Sequence, residues 1–285
     1  MSEFFFASDL HGRTDRYEKL FRAIGAALPA AVFLGGDLLP LSFTRSPGVC
    51  HGDFVRGFLL KELLGLRRVI KDAYPRVFLI LGNDDPRIDQ AAFLDSEAEG
   101  IWQDVHDKKV PFDGFSIYGY ACVPPTPFHL KDWERYDVSR YVDPGCLSPE
   151  EGIRSVPLSE DEKRCATIQR DIARLAGSDD MSRAIFLFHA PPYRTALDLA
   201  ALATKTIDHV PLDPHVGSIA IRRFIEERQP LLTLHGHIHE SARLSSSWRD
   251  AIGRTACFSA AHDGPELALV RFDPGRLESA TRELI

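Results

Sequence analysis

The stretch Phe4-Phe5-Phe6-Ala7-Ser8-Asp9-Leu10-His11 decides how the rest of the chain is read. Its first residues have the apolar, aromatic character of a buried strand. It then stops and immediately presents a carboxylate and an imidazole. Four further apolar runs end in the same way. Ala31–Leu34 leads through Gly35-Gly36 to Asp37, and Val77–Leu81 leads through Gly82 to Asn83, Asp84 and Asp85. Ala184–Phe188 leads to His189, and Leu231–Leu234 leads through His235-Gly236 to His237 and His239. In open α/β sheets, ligands gather where strands release the chain at their carboxyl ends. Endings of one chemical kind, repeated along the chain, imply that the strand ends converge on one site.

The 285 residues are enough to bury a large core. A hydrophobic content of 44% and a charged content of 26% are ordinary for a globular protein. The formal net charge of -7 argues against binding a nucleic-acid duplex, which calls for a basic stripe. It leaves phosphate substrates open, because bound cations reverse the local field. No apolar run approaches the roughly 18 residues that span a membrane. The start MSEFFFASD is too short and too acidic for a signal peptide. Cys50, Cys122, Cys146, Cys165 and Cys257 are scattered without a Cys-x-x-Cys pair, which fits reduced thiols and a cytoplasmic location.

Along the chain, Asp15 is placed to cap a helix to about Leu28, and Asp53 to cap a long helix to about Ala73. Asp89–Leu94 reads as a short helix, and Val105 and Ile117-Tyr118 mark short strands. Ser159 and Glu162 have capping-box spacing and open a helix to about Leu175. Ala196–Lys205 and Gly217–Arg228 read as helices, and Thr255–Phe258 and Leu267–Phe272 as two antiparallel strands. Irregular insertions fall near residues 40–53 and 120–158; the second, with Pro124-Pro125-Thr126-Pro127, has no core pattern of its own. The whole chain, 1–285, is therefore expected to be one domain of α/β class with more than a simple parallel sheet.

Two divalent metals about 3.5–4 Å apart can clamp both oxygens of an in-line displacement and supply a nucleophile at neutral pH. Asp9, His11, Asp37, Asn83, His189, His237 and His239 offer the carboxylate, amide and imidazole donors such a pair needs. Alone, each motif has a plain structural explanation: a capped turn for Asp9-Leu10-His11, tight turns at Gly36-Asp37 and Gly82-Asn83, a core histidine at His189. Gly236-His237-Ile238-His239 stands best alone, since residues at i and i+2 of an extended segment project to one side. Together they favour a metal site. The order Asp9-Leu10-His11, Gly36-Asp37, Gly82-Asn83, His189 and Gly236-His237-Ile238-His239 resembles the signature of the calcineurin-like metallophosphoesterases.

That resemblance implies a four-layer α/β/β/α sandwich of two mixed sheets flanked by helices. It implies that Asp9, His11 and His239 bind one metal, that Asn83, His189 and His237 bind another, and that Asp37 bridges them. The implied reaction is hydrolysis of a small phosphoester by metal-bound hydroxide, with Mn, Fe, Zn or Ni as the divalent pair and Mn the expected activator. Two positions depart from the family pattern. Asp84 stands where the family usually has a His that contacts phosphate or protonates the leaving group. Pro40 stands where Gly-Asp-x-x-Asp usually ends in a carboxylate. Diesters or activated esters ask less of a general acid, so they are the expected substrates. The rival is a metal-binding regulatory or scaffold protein with little turnover, which the Asp84 departure would also explain. A Rossmann nucleotide site is excluded by the absence of Gly-x-Gly-x-x-Gly after the Gly35-Gly36 turn.

His215, before Gly217-Ser218, is a second catalytic candidate, with an ordinary helix cap as the alternative. His51, His129, Trp133 and Arg135 either border the site or form a solvated loop face. His106 and His209 read as surface residues, Phe4–Phe6 as core, and His262 has no assigned role. Oligomeric state is not legible in the sequence.

Overall fold

The structure, a computed structural model, describes residues 3–41, 52–202, 206–207 and 209–285. Much of the expected 40–53 insertion, with Cys50 and His51, lies outside the described residues. The elements in chain order are β1 (Phe4–Ala7), α1 (Thr14–Ala27), β2 (Ala31–Gly35), the single turn α2 (Gly52–Phe54), α3 (Lys61–Ile70), β3 (Arg76–Ile80), α4 (Gln90–Glu97), β4 (Gln103–Asp104), β5 (Lys108–Phe112) and β6 (Phe115–Tyr120). They continue with α5 (Glu160–Cys165), α6 (Ile168–Ala176), β7 (Ala184–Phe188), β8 (Thr206–Ile207), β9 (Val210–Pro211), α7 (Ile219–Arg228), β10 (Leu232–His235), α8 (Ser241–Ser245), β11 (Arg249–Ile252), β12 (Thr255–Ser259), β13 (Ala268–Phe272) and β14 (Thr281–Leu284).

One sheet has the order β14-β13-β1-β2-β3-β4 and the other β11-β12-β10-β7-β6-β5. In each, four strands run parallel and antiparallel strands extend the sheet beyond them. The parallel strands read as unbroken apolar runs because both faces are covered. The inner faces meet through aromatic rings: Phe4 lies 5.8 Å from Phe112, Phe78 lies 5.4 Å from Phe112, and Phe258 lies 6.1 Å from Phe272. On the outer faces, Tyr17 of α1 meets Phe58, and Phe224 of α7 meets Phe186 at 4.9 Å. The layers are therefore helix, sheet, sheet, helix, as the resemblance implied.

Several local expectations fail for identifiable reasons. Asp15 does not cap α1; the N-cap is Arg13, which makes no side-chain cap, and Asp15 instead pairs with the Arg13 guanidinium at 3.1 Å. Asp53 lies inside its helix and does not cap it; the helical stretch itself runs to Ala73 as expected, with a wide-turn segment, Val55–Leu60, between α2 and α3. The Ser159–Glu162 capping box forms, yet its helix stops at Cys165. Thr167 then caps a separate helix by accepting from the Arg170 N–H. Residues 196–202 are irregular rather than helical, and 203–205 lie outside the described residues. The Thr255 and Leu267 runs are both strands with antiparallel neighbours, but they sit in different sheets.

The segment between β6 and α5 folds back on itself without regular elements. Lys131 and Glu134, both buried, meet at 2.6 Å, and Thr126 Oγ1 donates to the other Glu134 oxygen at 2.6 Å. Trp133 is 1% exposed, so it is no solvated loop face, and its Nε1 donates to the Asp85 carbonyl at 2.8 Å. Asp132 accepts from the Arg87 N–H, and Asp137 accepts from the Ile219 N–H at the start of α7. The insertion thus grips the loop after β3 and the first turn of α7.

His106 is packed rather than free at the surface. Its Nδ1 accepts from the Ala121 N–H at 3.0 Å, and its ring meets Trp133 edge-on. Burial, then the neighbouring guanidiniums of Arg87 and Arg135, push its pKa down to about 3. A depressed folded-state pKa stabilises the fold above the unfolded value and is lost as pH falls toward the folded one. Urea unfolding of the native chain and of His106→Asn should therefore differ most above pH 6.5, with the gap narrowing as pH falls toward 3. A gap that does not change between neutral pH and about pH 5 would mean that His106 does not carry this linkage.

Candidate metal centre

The loops that follow the strands begin in a backbone conformation that side chains resist. Asp9, His11, Asp37 and His237 have φ of 57°, 48°, 53° and 72°. A left-handed residue other than glycine costs about 1–2 kcal/mol. Four of the twelve such residues among the described ones lie at this end of the sandwich, where side chains must be aimed. The strand ends are locked together by backbone bonds. Asp9 N–H donates to Gly36 O at 3.0 Å, and Gly236 N–H donates to His189 O at 2.9 Å. A bond between the two sheets also forms here: His189 Nδ1 and Gly35 O are 2.7 Å apart. The ring is thereby oriented with Nε2 toward the site, in the manner of a metal-binding histidine held through its other nitrogen.

Asp9, His11, Asp37 and His239 each offer a donor atom within 4.8 Å of the other three. His11 Nε2 and His239 Nε2 face each other at 3.1 Å, and His239 Nε2 is 3.2 Å from Asp9 Oδ1. Beside them, His189 Nε2 lies 3.3 Å from Asp37 Oδ2 and 3.0 Å from Asn83 Oδ1. The His237 ring is 5.2 Å from that of His189, and the His237 N–H donates to Asp9 Oδ1 at 3.0 Å. All seven ligand-type residues named from the sequence are thus joined in one chain of contacts, with Asp37 next to His189.

Asp9 and Asp37 are 0% and 1% exposed. Two carboxylates removed from water need positive partners. Against burial, the hydrogen bond from His239 holds Asp9 well below the usual carboxylate range, and His189 does the same for Asp37. Reciprocally, against burial, Asp37 raises His189 to about 10 and Asp9 raises His239 to about 9. His237, lacking such a bond, is driven down to about 3 by burial and then by His189. Divalent cations bound there would displace the protons that these imidazoles otherwise hold against the carboxylates. The donor chemistry fits them: imidazole nitrogens facing one another across 3.1 Å, carboxylates and an amide oxygen, no thiolate, and a His11 Nδ1 buried without a hydrogen bond.

Asp84 stands at the rim, with its side chain 31% exposed and Oδ2 3.9 Å from His11 Nδ1. Its N–H donates to Asp37 Oδ1 at 2.9 Å, and Oδ1 accepts from Asn83 Nδ2. Burial, then the Asp37 charge, raise it to about 7. His215 is held by Asp198, with Nδ1 2.8 Å from Oδ1. Asp198 is fully buried and also accepts from the N–H groups of Arg194, Thr195 and Gly217. Among the described residues, His215 makes no hydrogen bond to the seven clustered side chains.

Sequence reasoning missed three supporting residues. Asp85 is buried and accepts from the N–H groups of Leu38, Leu39 and Gly82, tying the loop after β2 to the loop after β3. It supplies a carboxylate to the segment where Pro40 offers none. Asp198 and Arg16 are the others. Only Asp85 had a visible signal, since it belongs to the acidic run after Gly82.

The calcineurin-like phosphoesterase family model matches residues 3–241. Among curated proteins none is significantly similar to this chain. Similar solved structures include TT1561 of Thermus thermophilus, with 15% identity, 99% of this chain and 98% of that one covered, and a TM-score of 0.58. Another is a dimetal phosphatase from Danio rerio, with 13% identity, 95% and 91% covered, and a TM-score of 0.52. At these identities the likeness is one of fold.

A Cβ on Gly82 would collide with Asp37 Oδ1 and lie 2.6 Å from His189 Nε2. Gly82→Ala should therefore weaken Mn²⁺ binding by about 10-fold or more while unfolding stays cooperative. Gly65→Ala, whose Cβ meets nothing within 4 Å, is the control and should bind as the native chain does. Calorimetric titration of both variants with MnCl₂ checks this; equal affinities would mean that the Gly82 turn is not packed on the ligand groups.

Proposed function

Because the chain belongs to the calcineurin-like phosphoesterase family, we propose that it hydrolyses a small phosphodiester or activated phosphoester at a two-metal centre built by Asp9, His11, Asp37, Asn83, His189, His237 and His239. The observation that carries this reading is the convergence of Asp9, His11, Asp37 and His239 donor atoms within 4.8 Å of one another. Asp9, His11 and His239 would hold one cation, Asn83, His189 and His237 the other, and Asp37 both. Bound there, divalent cations supply Lewis-acid polarisation of a phosphoryl oxygen and a nucleophile at neutral pH. Mn, Fe, Zn and Ni all suit the donor set, with Mn the expected activator. The four cysteines among the described residues, Cys122, Cys146, Cys165 and Cys257, are free thiols, which supports a reducing, cytoplasmic setting. No helix among the described residues is long and apolar enough to cross a membrane.

The chain's own groups set the selectivity. Asp84 is the carboxylate at the rim, beside His11 and Asn83, and its neutral form can donate a proton to a leaving oxygen. Ionised, it repels a phosphate, and it repels the doubly charged group of a monoester more than the singly charged group of a diester. His215, steadied by Asp198, is a contact for the outer part of the substrate.

With Mn²⁺ added, turnover of an aryl phosphodiester should exceed that of the matching monoester, and Asp84→His should shift the ratio toward the monoester by about 10-fold or more. A native preference for the monoester would overturn the selectivity. Bound Mn²⁺ without turnover on a broad phosphoester panel would favour a metal-binding regulatory or scaffold role, which the Asp84 substitution also accommodates.

His215→Ala should raise KM several-fold and leave Mn²⁺ affinity unchanged. An unaltered KM would reduce His215 to a structural partner of Asp198.

A further inference from the structure

Arg16 lies in the first turn of α1 and is 5% exposed. A buried guanidinium is expensive to desolvate unless it is paired. Among the described residues, no carboxylate comes within ion-pair distance of this one. Its two terminal nitrogens go instead to backbone carbonyls: Nη1 donates to Asp9 O at 2.6 Å, and Nη2 donates to Gly264 O at 2.5 Å. Nε is buried without a hydrogen bond. The first of those carbonyls belongs to the left-handed residue whose carboxylate enters the metal centre. Asp9 is thus fixed at each end of its backbone, its N–H by Gly36 O and its C=O by Arg16. Its carboxylate then faces the His237 N–H and His239.

The second carbonyl belongs to the loop after β12, residues 260–267. A second, half-buried arginine also holds that loop, since Arg282 Nη2 donates to Ala261 O at 2.7 Å. Arg282 has no bond to Asp9 among the described residues. The two arginines therefore share the loop and differ in their reach to the metal centre.

We propose that Arg16 is a positioning residue: by holding the Asp9 carbonyl it keeps a left-handed ligand residue aimed at the cations, and it locks the 260–267 loop to that ligand. This rests on the reading of Asp9 as a metal ligand. If stability alone were at stake, an apolar side chain would fill the same buried space without leaving a charge among carbonyls. Partners that orient a ligand from behind typically change metal affinity by about 10–100-fold when removed.

The test is calorimetric titration of Mn²⁺ into the native chain and into Arg16→Met, Arg16→Lys and Arg282→Met, with urea unfolding of each. Arg16→Met should bind Mn²⁺ about 10-fold or more weakly. Arg16→Lys should recover part of that loss, because an ammonium can reach one carbonyl but not both. Arg282→Met should unfold at lower urea and bind Mn²⁺ as the native chain does. Native affinity in Arg16→Met, or an equal loss in Arg282→Met, would overturn the proposal while leaving the metal centre standing. If Arg16→Met does not fold, Arg16→Lys decides alone, and native affinity in it overturns the proposal. A native chain that binds no Mn²⁺ would overturn the metal centre and this proposal with it.

Discussion

Two carboxylates, Asp9 and Asp37, are held out of water where the ends of the two sheets meet, and the rest of the site is arranged around that fact. Burying one such charge without a partner would cost several kcal/mol, and burying two side by side costs more. The chain answers with His189 and His239 against the carboxylates and with the N–H groups of Asp84 and His237 on their oxygens. Those partners come from both sheets. The seam therefore holds only if both sheets are in register, and the ring core between them sets that register. Phe4 alone touches Phe33 and Phe272 on its own sheet and Phe112 and Phe115 on the other.

The same seam explains the local backbone. A left-handed backbone is uncommon for any residue but glycine, and Asp and His are among those that adopt it most readily. Here the loops after β1, β2 and β10 each contain at least one such Asp or His, and each is over-determined by its surroundings. Asp9 is pinned by Gly36 and Arg16, and His11 N–H donates to Asp37 O. Gly236 sits where a Cβ would collide with Ser8 Oγ. Behind the loop after β3, Trp133 holds the Asp85 carbonyl while the Asp85 carboxylate gathers three N–H groups. The long irregular segment is thus part of the support for the site, and its buried Lys131–Glu134 pair stiffens that support without regular structure.

The sequence makes some of this legible and hides the rest, for physical reasons. Parallel strands covered on both faces are unbroken apolar runs, so β1, β2, β3, β7 and β10 could be read directly, and the residue that ends each run could be read with them. Helix starts were less legible. Asp15 has the composition of a cap, but Arg13, two residues before it, competes for its carboxylate. The break at Ala166–Thr167 falls where the charged α5, which buries no residue, gives way to the apolar face of α6, and the Thr167 hydroxyl marks the new start. His106 reads as a surface residue, and Trp133 as either bordering the site or solvated, because they sit among charges in the chain, whereas their environment is made by residues distant in sequence. Arg16 could not be found at all, because a buried arginine that bonds only to carbonyls leaves no mark in a pattern of residue types.

Asp37, Asp84 and Asp85 show how far environment outweighs identity. Asp37 is buried against His189 and stays ionised, which suits a residue that faces cations. Asp85 is buried against N–H groups; burial, then the Asp37 charge, raise it to about 8, and its work is done by accepting backbone bonds. Asp84 keeps one edge in solvent, and the proposed reading makes it the member of the three that meets a substrate. Environments that push identical groups apart are what allow acid and base roles to coexist at one pH. In the proposed reading, a carboxylate at the rim in place of an imidazole trades a cationic contact for a negative one. Each charge the substrate carries is then weighed twice: attracted by the cations that Asp37 helps to hold, and opposed by Asp84. A monoester dianion bears that opposition doubly, a diester monoanion once, so the rim alone tilts the site toward diesters before any difference in leaving group enters.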